Sequence, residues 1–590
     1  MKKVLSVVFG CLFFAVSAFA QVSVNPNDPF YEHAFNWYNR GIVDRLPPTR
    51  PYPLQNIKMI LEEVLEKGND KDREYVAEIY ERIGGRKLRL YFDAVAQMDY
   101  KKKNLDGDSD ASQGKNICIY PGVEGDVVFR DYEKLSVGYK MGIAAVKSTD
   151  TDHMPKYSTT MHDGVFDPSE IGPIKMYLDV NDIVAYGSEN VFVQGGIYRN
   201  GYGNYLGQGL VLNDKRFHST NISFTFMNDR ISFTQQVSAL GSTSSYDGNT
   251  DSLKADKILG FHSIGVDVCK WFDFAFYEST IIGKRFDIGT LVPVPYMISE
   301  ELSGALDGVF MGLALNFKPF PGLMFATDLC IDDFPINDFV KLKWDSKYRI
   351  AARTGVIWSL NDNRWVDKVS LSYTAITPYT YSHWDYSDYE SNAVIKPGAR
   401  NYQNYTNNGI KIGSMLEPNS DAIELSVDMH PISGLKLNFH GMYSRHGNVC
   451  ESLTDEEAME YLSALPGTYS TDGSIYTHAM FSNPDSDLGK HVDTAWNSLN
   501  FLSQDHLMTT IQLGVDAEYL LPQNYYGFNV TLKAGLTFEY IKNYNVDRHM
   551  YPGYGIQANS DILNRSRALW EEQLCDRTSV YGYIGVNVRY

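Results

Sequence analysis

The chain has 590 residues, a formal net charge of -19 and 13% aromatic residues, with 41 Tyr, 30 Phe and 47 Gly. That acidic balance excludes a nucleic-acid role, and no run of about 18 apolar residues after the N-terminus marks a spanning helix. A soluble chain this long divides into several domains; Tyr- and Gly-rich composition without such helices instead suits a transmembrane β-barrel, whose strands are only half apolar.

Lys2 and Lys3 precede the apolar run "VLSVVFGCLFFAVSAFA". Residues 1–20 therefore read as a secretory signal, with cleavage expected between Ala20 and Gln21. Residues 21–85 carry helical spacing and are expected to form a small periplasmic bundle. In "DPFYEHAFNWYNRG", Asp28 suits an N-cap, Pro29 the first helical position and Gly41 the stop. Ile57, Ile60, Leu61, Val64 and Leu65 recur at helical spacing before Gly68. Asp70 is placed to cap a third helix with Val76, Ile79, Tyr80 and Ile83 on one face.

From residue 86 to 590 the period becomes two. Leu88, Leu90, Phe92, Ala94, Ala96 and Met98 alternate with a more polar set. Tight reversals such as "FTFMNDRISF", "LNFKPFPGLMF" and "MHPISGLKL" alternate with long polar connections, including 101–115, 147–173, 199–219, 279–307, 378–420, 446–505 and 542–576. Strands are expected to begin near 88, 117, 135, 174, 189, 220, 231, 257, 272, 308, 323, 348, 366, 421, 435, 506, 526 and 577. The fold class expected is an all-β outer-membrane barrel of about 18 antiparallel strands. The helices and the C-terminus then lie on the periplasmic, short-turn side, and the long loops are extracellular.

Chemical motifs are sparse. Asp106, Asp108 and Asp110 have EF-hand spacing, but Ala111 and Ile117 stand where that loop needs Gly and Glu. No nucleophile elbow, HExxH or phosphate loop is present, so neither catalytic nor metal-ligating residues are assigned and no cofactor is expected. The five cysteines after residue 20 lack CxxC spacing and leave room for at most a bridge such as Cys450 to Cys575. His262 and Glu278 fall on neighbouring strands, where such groups usually line the wet lumen as ion pairs. Asp332 and Asp333 open a long loop. Thr454 and Glu457 form a capping box, and "DILNRSRALWEEQL" is amphipathic through Ile562, Leu569 and Trp570. Aromatic, acidic outer loops suit carbohydrate. In the last strand, Ile584, Val586, Val588 and Tyr590 share an apolar face expected to meet lipid, and they resemble the signal read by the barrel-assembly machinery. Tyr583, Asn587 and Arg589 share the lumen face, and the strand is expected to pair with the first.

Several stretches together resemble the Wzi-type capsule assembly family of outer-membrane proteins. "GGIYRNGYGNYLGQGLVLND" matches that family's Arg- and Gly-rich segment leading into a Leu-Val-Leu strand, through Arg199, Gly201 and Gly203; Tyr202 and Asn204 replace its frequent Trp and Pro. "KILGFHSIGVD", "FYESTIIG" and "LVPVPYM" match through His262, Glu278 and Pro295, "DLCIDDF" through Asp332 and Asp333, and "VSLSYTAITPYTYSH" through His383. "SMLEPNSDAIELSVDMHPISGLKL" follows in the family's order. The resemblance implies an 18-stranded barrel with a periplasmic bundle and a non-catalytic, lectin-like role at the cell surface. Its implied partners are exported polysaccharide and outer-membrane lipid. A porin or uptake channel, and an adhesin, are the rival readings.

Overall fold

The computed structural model describes residues 25–590 except 85–87, 106–107, 130–131, 150–168, 204–208, 217, 242, 245–254, 304–307, 361–364, 384–399, 456–457, 459–471, 475–498, 523–526 and 551–558. The signal and its Ala20–Gln21 junction lie outside the described residues, as does Glu457 of the capping box.

Three helices come first: α1 (Pro29–Asn39), α2 (Leu54–Lys67) and α3 (Asp70–Gly84). The Asp28 carboxylate accepts the Phe30 amide at 3.0 Å, capping α1. The cap of α3 falls one residue earlier than expected. Asn69 Oδ1 accepts the Asp72 amide and Asp72 Oδ2 accepts the Asn69 amide, a reciprocal pair that Asp70 has no geometry to make. Phe30, Trp37, Ile57, Ile60, Val64 and Val76 bury their faces together.

The rest is a closed antiparallel barrel of eighteen strands. They are β1 (Arg89–Leu105), β2 (Asp108–Phe129), β3 (Tyr132–Thr149), β4 (Ile174–Gly187), β5 (Val191–Tyr198) and β6 (Ser219–Met227). Next come β7 (Ile231–Gly241), β8 (Ala255–Cys269), β9 (Phe272–Gly283), β10 (Gly308–Phe320), β11 (Leu323–Asp333) and β12 (Arg349–Ser359). The last six are β13 (Val366–Ile376), β14 (Ser420–Ile432), β15 (Leu435–Gly447), β16 (Leu507–Leu520), β17 (Asn529–Tyr544) and β18 (Cys575–Arg589). With one exception they start close to the expected positions. Residues 101–115 are not a long loop: β1 and β2 stay paired out to Leu105↔Asp108. Backbone pairing overrides the polar side chains there, and Asp108 and Asp110 belong to a ladder instead of an ion-binding loop.

Closure runs through β18, which pairs with β17 and with β1 from Tyr91↔Arg589 to Asn104↔Asp576. Ile584 points outward and is 69% exposed. On the lumen side Tyr583 Oη donates to Asp516 at 2.9 Å, Asn587 bonds Asp93, and Arg589 lies 3.5 Å from Glu124. The same parity leaves Leu90, Phe92, Phe224, Phe276, Phe325, Leu371 and Leu536 exposed on the outside. This continuous apolar belt, on a sheet without an open edge, is what a bilayer requires.

The helices close the short-turn mouth. Asn39 Nδ2 donates to the Gly322 carbonyl at 2.9 Å, Asn56 Nδ2 to the Glu189 carbonyl at 2.9 Å, and Arg45 to Asn190 at 2.6 Å. Each partner lies in or beside a hairpin turn on one rim of the barrel. Lys71 pairs with Asp367 on the same rim. Within the bundle, Arg40 grips Asp72 through two contacts of 2.7 Å.

Ile584→Arg near mid-height of the belt is expected to cost about 2–4 kcal/mol and to reduce the heat-modifiable folded fraction on unheated gels. Tyr583→Phe, one residue away on the lumen face, loses a hydrogen bond worth about 1 kcal/mol and should leave that fraction near wild type.

Candidate functional site: a filled lumen and a covered outer wall

Eighteen strands enclose a channel too wide for the strands' own side chains to fill. Two connections fold inward instead. The first, from the end of β5 to the start of β6, contains Arg199, Gly201 and Gly203. Gly201–Tyr202 pairs antiparallel with Thr49–Arg50, so the segment after α1 reaches into the barrel to meet it. A side chain at Gly201 would meet Arg50 and Asp214, both at 2.8 Å, and Gly203 has φ +103°. Arg50 Nη2 bonds Asp214 Oδ2 at 2.9 Å.

The chain then doubles back, with the Tyr202 amide bonded to the Leu212 carbonyl at 3.0 Å. The "LVL" stretch is not a strand. Leu210, Val211 and Leu212 are fully buried and pack against Leu259, Phe261, Tyr277, Ile281 and Phe310 of the inner wall. Their apolar side chains are the material of a lumen core, so burial there wins over strand pairing.

The second inward connection lies between β13 and β14. Tyr381 Oη donates to the Leu210 carbonyl at 2.7 Å and Tyr405 Oη to the Val211 carbonyl at 3.0 Å. The Lys257 ammonium, fully buried, reaches the Asn404 and Thr406 carbonyls at 2.7 and 2.9 Å. Asp332 accepts the Tyr381 amide at 2.7 Å and pairs with His383, so two family-motif positions jointly hold this segment at the rim. Asp333 diverges from them and faces Lys347 at 3.0 Å.

Arg199 and Arg216 bring positive charge to the base of the plug, beside His218. Burial pushes the Arg216 guanidinium down to about 10. Burial also pushes His218 down to about 3, with Arg199, Arg216 and Lys140 opposing its proton and Asp179 favouring it. His218 is therefore neutral in the fold, 3.4 Å from Asp179.

His262 and Glu278 do not line the lumen. They are directly opposed on β8 and β9, and bonded at 2.9 Å. Their strand neighbours Phe261 and Tyr277 belong to the lumen core, so the pair must face outward. Both are nonetheless buried, because residues 284–303 fold down over the outer wall. Period-two reading assigns a residue to a face; it does not reveal a loop draped over that face.

Sequence reasoning missed a relay of Ser420, His446 and Asp472, with contacts of 2.8 Å to His Nδ1 and 3.0 Å from His Nε2. All three are buried, and the relay ties the turn at Asp472–Ser474 to β14 and β15. No local motif joins the three. None of the five cysteines of the described residues is in a disulfide, Cys450 and Cys575 included. The expected helix near the C-terminus forms as Ser560–Glu571, but its buried face is Leu563, Ser566 and Trp570; Leu569 points to solvent.

A closed, apolar-belted barrel with a helical stopper and a folded-in core defines a plugged barrel of the outer-membrane class. No protein-family model and no curated protein matches the chain. Among solved structures it is similar to Wzi, an outer membrane protein involved in group 1 capsule assembly in Escherichia coli, itself a carbohydrate-binding β-barrel. That match has 11% identity and a TM-score of 0.50, covering 96% of this chain and 99% of that one. Acinetobacter baumannii OccAB1 matches at 8% identity, TM-score 0.38, over 84% of this chain and 96% of its own. Pseudomonas aeruginosa OprD matches at 8% identity, TM-score 0.35, over 84% and 94%.

Because His218 is held below its free value of about 6.5, its contribution to stability is present above that pH. It is lost as pH falls towards 3, where the unfolded chain takes up the proton first. Thermal melting in detergent micelles is expected to fall between pH 7 and pH 4, and His218→Gln should flatten part of that slope.

Proposed function

We propose that the chain is a non-catalytic, carbohydrate-binding barrel that holds exported polysaccharide at the cell surface. In this reading the helices and the C-terminus are periplasmic and the long connections extracellular. The apolar positions Ile584, Val586, Val588 and Tyr590 engage the barrel-assembly machinery during insertion. The observation that carries the reading is the filling of the lumen. A helical stopper on one rim and two folded-in connections above it occupy the β7–β13 side, where an open pore needs free cross-section. The family resemblance and the Wzi fold match support the same reading, as do the acidic, aromatic long connections that suit sugar rings and hydroxyls.

A specific observation favours solute passage as the second reading. Two cavities remain on the β12–β18 side, of about 440 and 600 Å³, and both are bordered by Asn27 and Asp28. Lys436, Lys533, Glu518 and Arg589 line the larger one.

Deleting the gene and measuring cell-attached against released polysaccharide separates the two. The released fraction should rise several-fold, and the purified protein should give no steady conductance in planar bilayers. Unchanged retention together with discrete conductance steps would establish the second reading instead.

A further inference from the structure

The covered outer wall has no part in either reading of the lumen, and its chemistry points to a partner of its own. On β7, β8 and β9 the outward residues nearest the short turns are apolar: Ile231, Ile264, Val268 and Phe276 are all exposed. The row above them is polar. Gln235 opposes His262, and His262 opposes Glu278. Polar groups at this depth are costly against hydrocarbon unless they are covered and bonded.

The connection after β9 supplies both cover and bonds. The Tyr296 ring lies on His262 with centroids 4.3 Å apart. Its amide donates to Glu278 Oε2 at 2.8 Å, and Gln235 Nε2 donates to its hydroxyl at 2.7 Å. Gln235 also bonds the Thr290 carbonyl. At Gly260 a Cβ would sit 3.1 Å from Thr290 and from Tyr296, so the missing side chain lets the segment lie flush on the wall.

After the exposed Lys284 and Arg285, the other surface of this segment is apolar from Phe286 to Ile298. Phe286, Ile288, Leu291, Val294, Met297 and Ile298 are exposed, Ile288 at 71%. The belt height explains why. On β1 the exposed apolar positions run from Leu90 to Tyr100, about 25 Å along the normal at a rise of ~3.3 Å per residue and a tilt of ~40°. On β8 they stop after Val268 and Ile264, about 10 Å by the same measure. The apolar surface of residues 286–298 occupies the missing height. The belt continues beside it at Ile222 and Phe224 of β6, both exposed.

We propose that residues 284–303 form a flap whose apolar stretch, 286–298, is embedded in lipid. It is latched to the outer wall by Gln235, His262 and Glu278 and completes the apolar belt against acyl chains of the outer leaflet. The partner is membrane lipid, by continuity with the belt on either side. The flap rests on the barrel lying in a bilayer and is independent of which ligand the lumen or loops take.

The test uses the full chain in lipid nanodiscs, with Cys269→Ser to remove the one partly exposed thiol among the described residues and a nitroxide on Ile288→Cys. References are labels on Ile584→Cys, on the lipid-facing closing strand, and Asp229→Cys, in an exposed turn. The Ile288 label is expected to match Ile584, with high oxygen and low nickel-chelate collision rates. Adding Glu278→Ala should raise its nickel-chelate collision rate at least threefold by freeing the flap. Water-like accessibility at Ile288 without the latch change would overturn the proposal. So would dipolar broadening between singly labelled molecules, which would place a second copy on this face. A label that stays lipid-like in the Glu278→Ala protein would overturn the latch.

Discussion

A polypeptide in hydrocarbon must pair every backbone amide and carbonyl within itself, and a sheet meets that demand only when its two edges join. In this chain the joint is β1 to β18, held over fourteen residues on each strand from Tyr91↔Arg589 to Asn104↔Asp576. Much else follows from that closure. Eighteen strands in one cylinder fix an alternating pattern, with Ile584 and Leu536 outside and Tyr583 and Arg589 inside. They also enclose a space that side chains alone leave hollow, and the segments between strands supply the filling.

Strand order and face were legible because both follow from a period of two and from turn chemistry. The turn between β4 and β5 shows that chemistry: Gly187 takes φ +146° and the Ser188 hydroxyl accepts the Asn190 and Val191 amides. The first bundle helix was equally plain, since Asp28 and Pro29 carry a start signal independent of tertiary context. What failed has a common cause. Residues 101–115 look like loop because their side chains are polar, yet backbone pairing with no lipid or core to satisfy tolerates polar side chains on both faces. Leu210–Leu212 look like a strand because they are apolar, yet their partner is a lumen core assembled from seven distant strands. His262 and Glu278 look like lumen ion pairs because charge is costly in lipid, yet Tyr296 shields them from it. In each case contacts that the side-chain pattern does not encode decide: the hairpin's own backbone ladder in 101–115, and surfaces from elsewhere in the chain in the other two.

The non-strand segments are joined to one another as well as to the wall. Thr49–Arg50, just after the first helix, forms a bridge with Gly201–Tyr202, and Arg50 and Asn27 both reach Asp214 in the lumen plug. The plug in turn bonds the second inward segment through Asn213 to Ile412 and through the tyrosines above Leu210 and Val211. Stopper, plug and rim are one connected body, so none of them is a simple lid that swings free of the others.

That body is eccentric. It packs against β7 to β13, where Phe261, Tyr277, Phe310 and Ile376 offer an apolar inner wall. The opposite wall is lined with ion pairs such as Arg577 with Glu539 at 2.9 Å and Lys533 with Glu518 at 3.1 Å. The two cavities lie between β12 and β18, the larger lined by Lys533 and Glu518. The barrel thus has one half filled by an apolar core and another that keeps two cavities. Asn27 and Asp28, where the stopper begins, border both cavities, so the capped start of the first helix is the element the two share.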